Sequence, residues 1–416
     1  MPARLGLSRR PPDRPLRERV GRGAEIVITG ALIVFAAFFV VHSVAVPATT
    51  DLTGTLSASE VLQHQLGCPY SQNLTASTVS KEGFDRLNAG PVASSTFPFP
   101  FNEPSVLAIA LTPLTGLPLS VAAAIFVGLI LASLGGSWPV LLGSSVVGTP
   151  VERWAIGAAI LLSIPDDNGL SLLQPEAVLL CMAAVALLAL ARHRDKSAGI
   201  LLGCIALKPQ LLWPAILLLL ILRRWSAVGA AGLTALTLWA VSLIVLPKGC
   251  AALWVSSIGA PYVLKLGDGL PSLVGQLSGS RLLELGAELL GAAIVWFLLS
   301  ALHKRGYGMS TLLGVAFAAS IVFSLHTEDY DLVFLAPLAA ALYRHAYARP
   351  WSLMLFGVLM SAASLADLKL GIVLCVQLMV AAGFAAAVAV LLARRGEPPE
   401  SLAITGRVPA DQPRST

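Results

Sequence analysis

The chain has few charged residues for its length. Of its 416 residues only 12% are Asp, Glu, Lys or Arg, whereas 56% are hydrophobic and the mean hydropathy is +0.79. A chain of this composition cannot hide its apolar surface in one soluble core, and repeated long apolar runs are typical of helices that cross a bilayer. The scarcity of charge therefore excludes an ordinary soluble domain and predicts an all-α polytopic membrane protein.

The sequence also lacks the fingerprints of several common kinds of site. No spacing matches a zinc site, a P-loop or a dinucleotide-binding turn. The net charge is +5 and the pI is about 9.1. We attribute this basic balance to the placement of Arg and Lys around a membrane, so we expect neither a nucleic-acid partner nor a cofactor.

Long apolar segments predict one transmembrane domain over residues 24–393, built from about 10 to 12 spans or half-spans. They lie at 24–46, 105–134, 138–164, 172–191, 197–207, 209–222, 226–247, 283–302, 309–325, 331–343, 350–366 and 370–393. The tails, residues 1–23 and 394–416, are rich in proline and charge and are predicted to be disordered.

Basic residues gather at alternate ends of the predicted spans, which sets an orientation. The clusters are the arginines of residues 4–22, Arg192 to Lys196, Arg223/Arg224, Lys304/Arg305, Arg344/Arg349 and Arg394/Arg395. All of them fit one cytoplasmic face, with both termini on it. The remaining polar residues then face outward, and residues 47–104 form a long first external loop.

Two features of the predicted external loops concern structure. Residues 55–66 could form an amphipathic helix that lies on the membrane surface. Cys68 and Cys250 both fall outside the spans, and in an oxidising compartment they could form a disulfide between two external loops. Distance cannot be read from sequence, so two free thiols stay possible.

Lys208 is the sharpest candidate for a functional residue. It lies between two apolar arms of about 11 to 14 residues, or roughly 16 to 21 Å of helix, too short for two full spans. If Lys196 and Arg223 are both cytoplasmic, the tip of this hairpin lies within the membrane thickness. An ionisable group there is costly and predicts a functional site. The alternative is a lysine whose ammonium reaches back to the outer headgroups.

Other polar candidates have plainer interpretations. Asp51, just after the first span, could be a helix-end carboxylate solvated at the interface. His326 could be a loop histidine, and the acidic residues that follow it could form a solvated turn. Position alone leaves these alternatives open.

The ordered set of outward motifs resembles glycosyltransferase family 87, membrane enzymes of the GT-C type that use polyprenyl-phosphate sugars. The resemblance implies the plasma membrane of a bacterial cell. The motifs are Thr50-Asp51-Leu52, the Phe97 to Pro104 run, Leu111-Thr112-Pro113-Leu114, Leu117-Pro118, Gln174, Leu207-Lys208-Pro209-Gln210 with Pro214, Ser324-Leu325-His326, Tyr330-Asp331-Leu332 and Pro337. Each motif alone is weak, but their order and common face carry the resemblance over residues 24–393.

The resemblance implies a GT-C helical bundle that transfers a sugar, mannose by preference, to a glycolipid or glycan of the cell envelope. Asp51 would be the general base of an inverting displacement, and Lys208 and His326 would bind the donor phosphate. No metal would be required. The residues that would contact the substrates are Gln174, Glu176, Gln210, Tyr330 and Asp331.

Two other classes of protein remain as alternatives. A transporter or flippase of lipid-linked sugars also needs buried polar residues and broken helices. A transporter is expected to show a polar path to both faces and often repeated halves, whereas this sequence has no clear internal repeat. A non-catalytic scaffold would tolerate neutral replacements of Asp51 and Lys208.

Overall fold

The computed structural model describes residues 51–70, 103–142, 173–258, 269–325, 327, 329–346 and 373–393. Both tails, the spans predicted at 24–46 and 350–366, most of the first external loop and His326 lie outside these residues. Every regular element within them is helical, which confirms the prediction of an all-α protein.

The described part of the chain forms helices in the following order. They are α1 Asp51–Gln63, α2 Ser105–Ala110, α3 Thr112–Thr115, α4 Leu119–Leu142, α5 Glu176–Ala191, α6 Asp195–Cys204, a 3-10 helix Ile205–Leu207, α7 Pro209–Ile221, α8 Trp225–Ile244, α9 Cys250–Ile258, α10 Leu270–Ser278, α11 Arg281–Lys304, α12 Met309–Phe323, a second 3-10 helix Asp329–Leu335, α13 Ala336–Ala346 and α14 Val373–Leu392.

Three of these helices, α4, α8 and α11, are long and apolar enough to cross a membrane, counting the described residues alone. Large apolar side chains project outward from α8 and α11, among them Leu233, Leu236, Leu289 and Phe297. Such a surface is unfavourable in water and suits the hydrocarbon of a bilayer. The protein is therefore a polytopic membrane protein, as its composition predicts.

The break predicted between residues 134 and 138 is wrong. Helix α4 runs without interruption from Leu119 to Leu142, through Gly135, Gly136 and Pro139. Glycine and proline are tolerated inside apolar helices when neighbouring groups satisfy the freed backbone. The two residue types that usually end a helix in water therefore do not end this one.

Helix α12 lies at the centre of the core. Each residue from Ser310 to Val322 is buried, and the helix contacts α7, α11, α13 and α14. Phe317 at its middle packs on Phe334 with ring centroids 5.1 Å apart. In the segment that follows α12, Ser324, Thr327 and residues 331–335 are buried as well.

The short hairpin predicted around Lys208 is present. Helix α6 has 10 residues and α7 has 13, with a 3-10 turn between them. Gly199 and Gly203 on α6 press against α8, where an added Cβ would come within 2.3 Å of the Ala227 carbonyl oxygen and 2.7 Å of that of Ala231. Small residues at this spacing allow close helix packing in membranes, so α8 holds the hairpin in place.

Helix α1 is not a surface helix, which corrects the suggestion for residues 55–66. Residues 52–61 are all buried although they include Thr, Ser and Glu, and the helix packs on α2 and α3. Its hydroxyls bond inside the protein: Ser57 Oγ donates to the Thr53 carbonyl over 2.8 Å, and Ser59 Oγ lies 3.0 Å from Thr112 Oγ1. Tertiary packing on every side overrides the weak amphipathic pattern.

Cys68 and Cys250 form a disulfide, with their Cα atoms 5.5 Å apart. The bond joins the segment after α1 to the start of α9, two parts of the chain predicted to lie on the same external face. Cys181 and Cys204, within apolar helices, are free.

Candidate active site

Lys208 is buried at the tip of the hairpin, with only 4% of its side chain exposed. Its backbone leaves the helical region (φ −122°, ψ 85°), and Pro209 then begins α7. Proline suits the first position of a helix because no intrahelical hydrogen bond is lost there. The ammonium therefore lies inside the protein, and the interpretation in which it reaches the headgroup region is wrong.

Three carboxylates surround the ammonium group of Lys208. Glu176 makes the closest ion pair, Asp331 Oδ1 lies 3.6 Å from Nζ, and Glu103 Oε1 lies 3.7 Å from it. We call Glu103, Glu176, Lys208 and Asp331 the ion cluster. Glu176 and Asp331 are almost fully buried, whereas Glu103 retains 25% of its side-chain exposure.

Each member of the ion cluster comes from a different element. Glu103 precedes α2, Glu176 is the first residue of α5, and Asp331 lies in the second 3-10 helix. The N-terminus of α5 favours a carboxylate because the helix dipole is positive there. The cluster thus ties four distant parts of the sequence around one cation.

The charges of the ion cluster do not balance when all of its groups are ionised. One ammonium faces three carboxylates, and burial makes any unpaired charge costly. The buried oxygens of Glu176 and Asp331 are strong acceptors, suited to polyols such as sugars, whose hydroxyls are donors. Glu103 is the most exposed of the three partners.

Hydrogen bonds around Ser324 hold the start of the chain segment that leads to Asp331. Trp213 Nε1 donates to Ser324 Oγ over 2.9 Å, and Ser324 Oγ donates to the Gln210 carbonyl over 3.0 Å. Thr327 Oγ1 donates to the Ile321 carbonyl over 3.3 Å. The second arm of the hairpin therefore holds the end of α12 and the start of the segment that carries Asp331.

The structure brings together three of the residues selected from the sequence, namely Lys208, Glu176 and Asp331. Gln174 is buried and lies two residues before Glu176. The backbone carbonyl of Gln210 accepts a hydrogen bond from Ser324 Oγ. Asp51 begins α1 and Tyr330 lies in the second 3-10 helix, but neither side chain is among those described.

Glu103 is the member of the ion cluster that sequence reasoning did not select. It closes the Phe/Pro run before α2, a motif noted for the resemblance, and is the acidic residue of that run. Its position on the predicted external face was the available signal. Only the packing of α2 against the rest of the bundle shows that its carboxylate reaches Lys208.

In a comparison with known protein families, residues 101–344 match the family described as "Glycosyltransferase family 87". The matched region covers more than half of the chain and contains all four members of the ion cluster. No curated protein and no solved structure matches the chain. The matched region is shorter than the resemblance over residues 24–393 and leaves out Thr50-Asp51-Leu52, but it contains the motifs from Leu111 to Pro337. The chain belongs to glycosyltransferase family 87.

Proposed function

We propose that this glycosyltransferase moves a sugar, mannose by preference, from a polyprenyl-phosphate donor to a glycolipid or glycan of the cell envelope. The observation that carries the proposal is the ion cluster, in which a buried cation and three carboxylates meet inside an apolar bundle. Buried ionisable groups in membrane segments are expensive and mark functional sites. Family membership supplies the reaction class.

Lys208 and His326 are proposed to bind the phosphate of the donor. The three carboxylates lie around Lys208 Nζ, so a donor phosphate would replace one of them. Glu103 is the partner that can give way, because it is 3.7 Å from Nζ and the most exposed of the three. Phosphate then meets an ammonium already held in place by Glu176 and Asp331.

The proposed reaction is a single displacement at the anomeric carbon. The acceptor hydroxyl gives its proton to Asp51 as its oxygen attacks, and the bond from the anomeric carbon to the phosphate oxygen breaks. Polyprenyl phosphate leaves with the bonding electrons and is stabilised by Lys208 and His326. The proposed contacts to sugar hydroxyls come from Gln174, Glu176, Gln210, Tyr330 and Asp331.

The proposed site faces away from the cytoplasm of a bacterial cell. The Cys68–Cys250 disulfide supports this orientation, since structural disulfides persist in oxidising compartments. Basic clusters at the other ends of the helices support it through the bias of Lys and Arg toward the cytoplasmic side. The donor's hydrocarbon tail would remain in the bilayer while its head group enters the bundle.

The test is transfer by the purified full-length chain in lipid nanodiscs, with radiolabelled polyprenyl-phosphate mannose, the arabinose analogue and glycolipid acceptors. We expect labelled product from the wild type and none from Asp51→Asn, with donor binding retained. Asp195→Asn is the matched control. Asp195 also begins a helix, but it pairs with Arg224 at the end of α6 that is farther along the chain from Lys208. Turnover by Asp51→Asn would remove Asp51 as the base.

A transporter or flippase would give a different result in the same preparation. Reconstituted into sealed vesicles, it would change the side on which the labelled donor is found without forming a new glycosidic bond. Product formation in nanodiscs, where no second compartment exists, therefore separates the two functions.

A further inference from the structure

Tyr70 bonds directly to the backbone of an ion-cluster residue. Its side chain is buried, and its hydroxyl donates to the Glu103 carbonyl oxygen over 3.0 Å. Ser105 also hydrogen-bonds to this phenol, and burial raises the pKa of Tyr70 above its ordinary value. The phenol therefore keeps the proton that it donates to Glu103.

The ring of Tyr70 belongs to a row of three aromatic side chains. It stacks on Trp254 with centroids 5.8 Å apart, and Trp254 lies 5.0 Å from Trp239. Trp239 Nε1 donates to the Ala206 carbonyl over 3.0 Å, two residues before Lys208. One end of this aromatic row thus holds Glu103, and the other end holds the turn that carries Lys208.

The Cys68–Cys250 disulfide links the two segments that carry Tyr70 and Trp254. Cys68 is two residues before Tyr70, and Cys250 is in the first turn of α9, the helix that carries Trp254. The disulfide therefore fixes both residues of the Tyr70–Trp254 stack relative to each other. Cys250, Tyr70 and Trp254 pack in a small hydrophobic cluster separate from the main core.

We propose that Tyr70 is a positioning residue for sugar transfer. Tyr70 sets the distance between Glu103 and Lys208 through its contacts with Trp254 and Trp239. The Cys68–Cys250 disulfide holds this arrangement in place. The inference rests on the proposed function, in which Glu103 gives way to the donor phosphate. The Glu103 carboxylate leaves Lys208 when the phosphate binds and returns to it afterwards. The Glu103 backbone therefore needs an anchor that is independent of the ion pair with Lys208. The Tyr70 hydroxyl supplies that anchor.

The kinetic test compares Tyr70→Phe, Glu103→Gln and the double variant with the wild type in nanodiscs. Tyr307→Phe is the matched control, since the buried Tyr307 hydroxyl also donates to a backbone carbonyl, that of Leu391, far from the ion cluster in sequence. Loss of one hydrogen bond should lower kcat by about 5-fold in Tyr70→Phe. Donor KM should change as well, because Glu103 gives way to the donor phosphate, and Tyr307→Phe should behave as the wild type.

The double variant decides whether Tyr70 acts through Glu103. We expect Tyr70→Phe to add nothing to the loss caused by Glu103→Gln, because the group that it positions is already altered. Wild-type kcat in Tyr70→Phe, or losses that multiply in the double variant, would overturn the proposal.

A second measurement does not depend on turnover. Labelling of Lys208 by an amine-reactive reagent, followed by mass spectrometry, reports how well Glu103 covers the ammonium. The labelling rate should rise by about 5-fold in Tyr70→Phe and after reduction of the disulfide, but not in Tyr307→Phe. If the wild type transfers no sugar, the proposed function fails, and unchanged Lys208 labelling would separately refute the positioning role.

Discussion

Trp213 and Ser324 join the hairpin to the segment that carries Asp331, through a hydrogen bond of 2.9 Å from the indole N–H to the serine hydroxyl. The same hydroxyl donates to the Gln210 carbonyl, so one buried serine satisfies two groups of α7. Because Lys208 immediately precedes α7 and Asp331 follows Ser324 by seven residues, this contact helps set the Lys208–Asp331 separation of 3.6 Å.

Replacing Ser324 by alanine should therefore destabilise the protein. The change leaves a partly buried indole N–H and a backbone carbonyl without their partner, at a cost of about 1–3 kcal/mol. Thr237→Ala is the control, since the exposed Thr237 hydroxyl donates to the Leu233 carbonyl of its own helix. Thermal unfolding in detergent micelles measures both, and equal midpoints for the two variants would contradict the prediction.

Replacing Lys208 by methionine should be more damaging. Three carboxylates would lose their shared cation, and breaking a buried ion pair from one side costs about 3–5 kcal/mol. Adding Glu176→Gln to Lys208→Met should recover part of the loss, because it removes one of the stranded charges. Lys248→Met, at an exposed position outside the cluster, is the control. Unfolding midpoints of the four proteins test the prediction, which is wrong if the second change lowers stability further.

Peptide mapping without reduction should find Cys68 linked to Cys250. Opening this disulfide, by reduction or by Cys68→Ser with Cys250→Ser, should cost about 2–5 kcal/mol because it closes a long stretch of chain. The free Cys204 gives the control, and Cys204→Ser should leave the effect of a reductant unchanged. Detection of both thiols as free in protein from an oxidising compartment would disprove the bond.

Gly203 and Gly229 should respond to alanine with opposite signs. At Gly203 the new methyl group would lie 2.6 Å from Thr234 Cβ and 2.7 Å from the Ala231 carbonyl oxygen, so α6 and α8 must separate. At Gly229, in α8, nothing lies within 4 Å, and alanine should stabilise the helix by up to about 1 kcal/mol. Unfolding midpoints that move in the same direction would contradict the packing described here.

The short hairpin could be predicted because it depends on local quantities. The lengths of its two arms and the positions of Lys196 and Arg223 are visible in the sequence, and they place Lys208 at the tip. The family motifs likewise lie in short segments, so Lys208, Glu176 and Asp331 could be selected before their contacts were known.

The partners of Lys208 could not be predicted, because they depend on how distant helices pack. Glu103 and Glu176 approach it only after α2 and α5 are placed in the bundle, and no local pattern encodes that approach. The burial of α1 is a similar case, since its Thr, Ser and Glu residues indicate a solvated face in isolation. In α4, the break predicted at residues 135–137, which include Gly135 and Gly136, is absent because the helix continues through them.

The enclosure of α12 frees that helix from matching the thickness of the bilayer. Its 15 residues extend about 22 Å, less than the roughly 30 Å of a hydrocarbon layer, yet its residues from Ser310 to Val322 are covered by protein. Two of its neighbours, α11 and α14, are longer, with 24 and 20 residues. The segment that carries Asp331 follows α12 directly, so it starts from a helix that the acyl chains do not need to contact.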